Sequence, residues 1–137
     1  MRLVAAVFLL ALQPPAAAAA FQATQPAPGS AERRSVLDAL RPSVEARLGR
    51  NVEFVVTTIR VEKGWAFVMA DPQRRGGRPI DGRAIFGEHF DDMDGLTVTA
   101  VLENRGGRWR VVYHAIGATD AWYCGLAAAG ARRVTGC

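Results

Sequence analysis

The pattern that most restricts how this chain can fold is a pair of hairpin signals. Val52 to Glu62 (VEFVVTTIRVE) is dense in β-branched residues, residues 65–70 (WAFVMA) alternate large and small side chains, and Glu62-Lys63-Gly64 joins them. Gly64 is placed to supply the left-handed residue of a bulged turn. Residues 96–103 (LTVTAVLE) and Arg108 to Ile116 (RWRVVYHAI) repeat the design around Asn104-Arg105-Gly106-Gly107. Strands joined by connections this short pair antiparallel, so four antiparallel strands are expected. Along the third, Leu96, Val98, Ala100 and Leu102 share one face while Thr97, Thr99 and Glu103 share the other. A sheet buried on one side and more polar on the other follows.

A cover for the buried side is also legible. Val36, Leu37, Leu40, Val44 and Leu48 recur at helical spacing, Ser30 stands where an N-cap belongs, and Gly49 stands where a helix ends. Pro42 removes one backbone donor from this helix and predicts a kink, or a break with Pro42 opening a second piece. The connection over residues 71–95 exceeds an ordinary loop. In it Phe86, Phe90 and Met93, spaced i, i+4, i+7, predict a short helix resting on the sheet, with Asp91, Asp92 and Asp94 in water. After the last strand, Thr119 can cap a short helix over residues 120–128 with Trp122 and Leu126 inward, and the tail over 130–137 then turns back towards Cys124. Trp65, Trp109 and Trp122 have apolar neighbours at the matching period and read as core, with Trp109, Val111 and Tyr113 on one face and Arg110, Val112 and His114 on the other.

Residues 1–20 have the marks of a secretory signal: Arg2, the apolar run 3–12, Pro14-Pro15 and the small residues 16–20. The apolar run is about ten residues against the roughly 20 that cross a bilayer, which predicts removal, no membrane span in the mature form, and a periplasmic or secreted location. Residues 21–30 (FQATQPAPGS) have no apolar periodicity and read as a disordered linker, leaving residues 31–137 as a single α+β domain. The only cysteines, Cys124 and Cys137, form an even pair in an exported chain and are expected to be bridged.

Composition excludes little. Seventeen basic against thirteen acidic residues is a modest excess that does not call for nucleic acid, and Lys63 is the only lysine. No motif implies a cofactor. Four arginines, Arg74, Arg75, Arg78 and Arg83, lie among glycines in RRGGRPIDGR; the first three are the candidate binding residues for an anionic surface or protein partner, because guanidinium forks match carboxylate and phosphate. The acidic run FDDMDG, with His89 beside it, invites a calcium reading but fails the EF-hand test. Placing Asp92, Asp94 and Gly95 at the third, fifth and sixth loop positions puts Phe90 at the first ligand and Val101 where the bidentate Glu belongs, so no metal is expected. His114, close in sequence to Asp120, offers a general base and its orienter; no nucleophile accompanies them.

Helix, four-stranded meander and short helix together resemble the cystatin-like and NTF2-like α+β folds. The strings LDALRPSVEARLG, WAFV followed by DPQ, and GRWRVVYHAIGATDAW resemble a group of small exported proteobacterial proteins over most of residues 33–126. That resemblance implies no activity or catalytic residue, and the cystatin inhibitor motifs, Q-x-V-x-G and Pro-Trp, are absent. The expectation is an α+β domain, a kinked N-terminal helix on a four-stranded antiparallel sheet, serving as a non-enzymatic binding or interaction module. A small hydrolase- or isomerase-type enzyme using His114 and Asp120 is the alternative.

Overall fold

The computed structural model describes residues 23–137, so the expected signal segment lies outside the described residues. Helix α1 (Ala31–Leu48) precedes an antiparallel meander, β1 (Val52–Glu62), β2 (Trp65–Arg74), β3 (Val98–Arg105) and β4 (Arg108–Ile116), with the strands side by side in chain order. Helix α2 (Gly82–Phe86) and a 3-10 helix (Gly87–Asp92) occupy the long connection; a 3-10 turn (Trp122–Gly125) and helix α3 (Ala129–Thr135) follow the sheet. The α+β architecture is the expected one. No helix among the described residues is long and apolar enough to cross a membrane.

Residues four apart lie on one side of an α-helix, and the stripe Val36, Leu40, Val44 and Leu48 is fully or almost fully buried against one face of the sheet. Val52, Ile59, Val61, Ala66, Val68, Ala70, Val98, Ala100 and Leu102 complete that core. Ser30 caps the helix as expected, its Oγ accepting from the Arg33 N–H at 3.2 Å, and the Gly49 N–H donates to the Glu45 carbonyl at 2.8 Å. The helix runs unbroken through Pro42, so no second piece begins there. Pro42 is exposed while Leu40 and Val44 on either side are buried. The turn that lacks a donor therefore faces water, and the buried stripe continues on both sides of it.

The start of β1 is clamped to this helix. The Val52 N–H donates to Glu45 Oε1 and the Val52 carbonyl accepts from Arg41 Nε, each at 3.0 Å. Lys63-Gly64 and Gly106-Gly107 make two-residue turns with all four residues at positive φ, the first tighter than the bulged turn expected there. Residues 71–74 extend β2 beyond the end of its pairing with β3, which is why Pro72, with no N–H to give, is tolerated there. The part of the supposed linker that is described is tied down: Thr24 exchanges two backbone hydrogen bonds with Val61, at 2.9 and 2.8 Å, and Pro26 is buried.

The second face of the sheet departs most from expectation. It carries its own apolar cluster, Phe67, Val101, Ala131 and Val134, with Trp65, Met69, Tyr123 and Leu126 partly buried around it. The cover is the C-terminal segment, and its helix lies at 129–135 rather than 120–128, with only a 3-10 turn at Trp122–Gly125 and no capping by Thr119. Packing decides this placement. Ala131 and Val134, three residues apart, present one apolar side to Phe67, and Gly130 lets the backbone lie on Trp65, whose Nε1 would stand 2.0 Å from a Cβ at that position. Trp122 Nε1 donates to Thr99 Oγ1 at 2.8 Å, and Arg60 Nη1 donates to the Val134 and Thr135 carbonyls at 3.3 and 2.8 Å. Cys124 and Cys137 are bridged as expected, their Cα atoms 5.5 Å apart, tying the end of α3 to the 3-10 turn.

Two outcomes follow for stability. Gly130→Ala, although alanine is the better helix former, should destabilise by about 1–3 kcal/mol because Trp65 must move. Reduction of the Cys124–Cys137 bridge should cost about 3 kcal/mol through the freed chain entropy of the unfolded state. Urea unfolding of the variant, and of wild type with and without reductant, measures both.

Candidate functional site

Where β4 faces α1 depends on one extra residue. Val101 pairs with Tyr113 and Leu102 with Val111, so Val112 has no opposite number and forms a β-bulge. The bulge resets the alternation of side chains. Trp109 and Val111 face α1 and join the main core, but Tyr113 turns to the other face, 47 % exposed, while His114, opposite Ala100, lies on the α1 side. The sequence reading placed Tyr113 with the core and His114 away from it; the bulge reverses both. An unbroken alternation cannot survive a one-residue insertion, and nothing in RWRVVYHAI marks where the insertion falls.

On that side a cavity of about 410 Å³ opens between the last turn of α1, the 82–93 segment and the end of β4. Arg47, Phe86, His89, Met93, His114, Ala115 and Ile116 line it. Both histidines of the chain are among them, although 25 positions separate them. Arg47, in the last turn of α1, has its guanidinium 5.9 Å from the Phe86 ring centroid, stacked as a cation over an aromatic face. Phe86 and Ile116 also pack on the core. Met93 is seated against Gly117, where a Cβ would come within 2.6 Å of the Met93 Cε. Asp94 N–H to the Gly117 carbonyl at 2.9 Å, and Gly117 N–H to the Thr97 carbonyl at 2.8 Å, fix this corner to the sheet. His114 is exposed at the cavity mouth, and partial burial of its ring, then the Arg47 charge, hold its pKa below the ordinary 6.5, favouring the neutral imidazole.

The structure does not bring His114 and Asp120 together. Asp120 lines a separate cavity of about 230 Å³ with Met69, Thr97, Thr99 and Tyr123, on the α3 side of the sheet. Imidazole and carboxylate line different cavities, and the base-and-orienter arrangement is not formed. The acidic run is likewise dispersed: Asp91 pairs with Arg83, Asp94 lines the Asp120 cavity, and His89 lines the first. No group of three or more His, Cys, Asp or Glu among the described residues is arranged to hold a metal.

The arginine loop is divided as well. Arg74 points back to α1, where its Nη1 donates to the Gly49 and Arg50 carbonyls at 3.0 and 2.8 Å and its Nη2 donates to that of Leu48. It is a C-terminal cap for the helix, not a free guanidinium. Arg75 lies 3.9 Å from Glu53 and is largely exposed; Arg78 is exposed, with its carbonyl accepting from the Arg74 N–H. Arg47 was missed. Its position beside the buried Leu48 showed only that it sits at the rim of the helix stripe, and no local signal indicated what that rim would meet.

Arg74→Ala should therefore destabilise the domain by about 1–3 kcal/mol, through loss of charge-assisted hydrogen bonds to three carbonyls, whereas the double change Arg75→Ser and Arg78→Ser should stay within about 0.5 kcal/mol. Denaturant midpoints of the two variants separate the structural arginine from the exposed ones. Comparison of the chain with protein-family models, curated proteins and solved structures finds no match, and the chemistry of the pocket itself is what the functional reading rests on.

Proposed function

We propose that this protein is an exported, non-enzymatic binding module that takes a small anionic ligand in the cavity between α1, the 82–93 segment and β4. One observation carries the reading: the polar side chains lining the cavity are Arg47, His89 and His114, with no carboxylate among them. A concave, mostly apolar site with a few convergent polar groups is the usual form of a small-molecule site, and here those groups are a guanidinium and two imidazoles, donors suited to an anion. Arg47 beside the imidazoles repels a metal cation, which weighs against the pair serving as metal ligands. The sequence pointed to an anionic surface or protein partner at Arg74, Arg75 and Arg78; the pocket favours a different partner, a small anion at Arg47. Bridged cysteines support the oxidising compartment that the signal-like N-terminus implies.

The pH dependence has a definite sign. The free protein holds the His114 pKa below 6.5, and a bound anion stabilises the imidazolium and raises it, so binding takes up a proton. Affinity should rise about three- to tenfold as pH falls from 7.5 to 5.5, and less in His114→Gln. It should weaken with added salt, as an exposed charge contact does. Thermal unfolding in the presence of small anions, cations and neutral compounds tests the reading, since a ligand that binds only the folded state raises the midpoint. Stabilisation by cations or neutral compounds, with none by anions, would overturn it.

A further inference from the structure

We infer that the ligand class of this pocket is an amphipathic monocarboxylate, a one-ring aromatic or short-chain acid whose carboxylate meets Arg47 and whose body lies on Phe86, Met93 and Ile116. The inference rests on the anion reading above and goes further, to the charge and shape of the anion.

Charge is the first argument. Arg47 is the only lining group that is positive at every pH a protein meets. Its guanidinium has no hydrogen bond or ion pair among the described residues; it lies against Phe86 and acts by charge on His114. The nearby helix end does not claim it, because Arg74 already takes the carbonyls of Leu48, Gly49 and Arg50. Arg41 and Arg83, by contrast, are each paired to a carboxylate. A single fixed charge matches a single negative charge. The remaining polar groups, His89 and His114, add hydrogen bonds, and Arg47 is the one fixed charge that the lining offers a ligand.

Geometry is the second. With its Cζ 5.9 Å from the Phe86 ring centroid, the guanidinium lies beside the apolar wall of the pocket, and its planar fork of N–H groups fits the two oxygens of a carboxylate. Phosphate sites draw on helix N-termini and nests of backbone N–H groups; here α1 contributes its C-terminal turn. The third argument is the wall. Phe86, Met93 and Ile116 form an apolar surface that an inorganic anion would leave unused. About 410 Å³ is near the low end of the roughly 300–1,000 Å³ common to small-molecule sites, room for one ring or a short chain.

The test is calorimetric titration of the oxidised protein at pH 6.5 and low salt with phenylacetate, hexanoate, acetate, 2-phenylethanol, phenyl phosphate and inorganic phosphate. Phenylacetate and hexanoate should bind at least tenfold more tightly than acetate, which lacks the body, than 2-phenylethanol, which lacks the charge, and than either phosphate. Arg47→Gln should lower phenylacetate affinity at least tenfold with its circular dichroism unchanged, while Arg110→Gln, an exposed arginine on the far face, should leave it unaltered. Phenyl phosphate binding as tightly as phenylacetate, or more so, would overturn the monocarboxylate assignment and leave the anion reading standing. Equal binding of 2-phenylethanol, undiminished binding by Arg47→Gln, or no binding by any of the six would overturn both.

Discussion

Everything in this domain is hung on the seam between α1 and one face of the sheet. Val36, Leu40, Val44 and Leu48 are sealed against Val52, Ile59, Val68, Val98, Ala100 and Leu102, and apolar burial of this kind is the main favourable term available to a chain of this size. The seam is oriented by polar contacts at its C-terminal end. Arg41 and Glu45 hold the Val52 backbone from the helix side, and Arg74 reaches from the end of β2 to cap the last helical carbonyls. Because that end of the helix is pinned to the sheet at two strands, Arg47 stands at a fixed place on the rim, and the gap beside β4 persists as a cavity instead of closing by a shift of the helix.

The other face of the sheet repeats this logic on a smaller scale. Helix α3 is too short to be stable alone. It is held by Ala131 and Val134 on Phe67 and Val101, by Arg60 on its last carbonyls, and by the Cys124–Cys137 bridge. In both layers an arginine from the sheet completes a helix C-terminus, where orphan carbonyls and the negative end of the helix dipole favour a cation. Several arginines that read as surface charge in the sequence are thus taken up in structure, and of those left without a hydrogen bond or ion pair among the described residues it is Arg47 that lines the cavity.

The cavity joins residues that have no reason to meet in one dimension. His89 comes from the long connection, Arg47 from α1 and His114 from β4. Both histidines were visible as candidates, but each was given the wrong neighbour: Asp120 for one, the acidic run for the other. Those pairings were drawn from nearness in sequence. The fold answers with nearness in space, set by the docking of α1 and by the bulge at Val112, and the result is an apolar-walled cationic pocket where two separate acid–base or metal arrangements had been considered.

The sequence by itself determined the elements that rest on local chemistry. Alternation and glycine turns specified the four strands, helical spacing with Ser30 and Gly49 specified α1, and the even cysteine pair specified the bridge, because each depends on residues within a few positions or on a count of two. Only the tertiary structure decided which face His114 presents, where the last helix forms and which arginines are free. A bulge, a glycine fitted under an indole and a guanidinium spent on a distant helix end are all settled by contacts between segments far apart in the chain. Such contacts leave no periodic trace in the residues that make them.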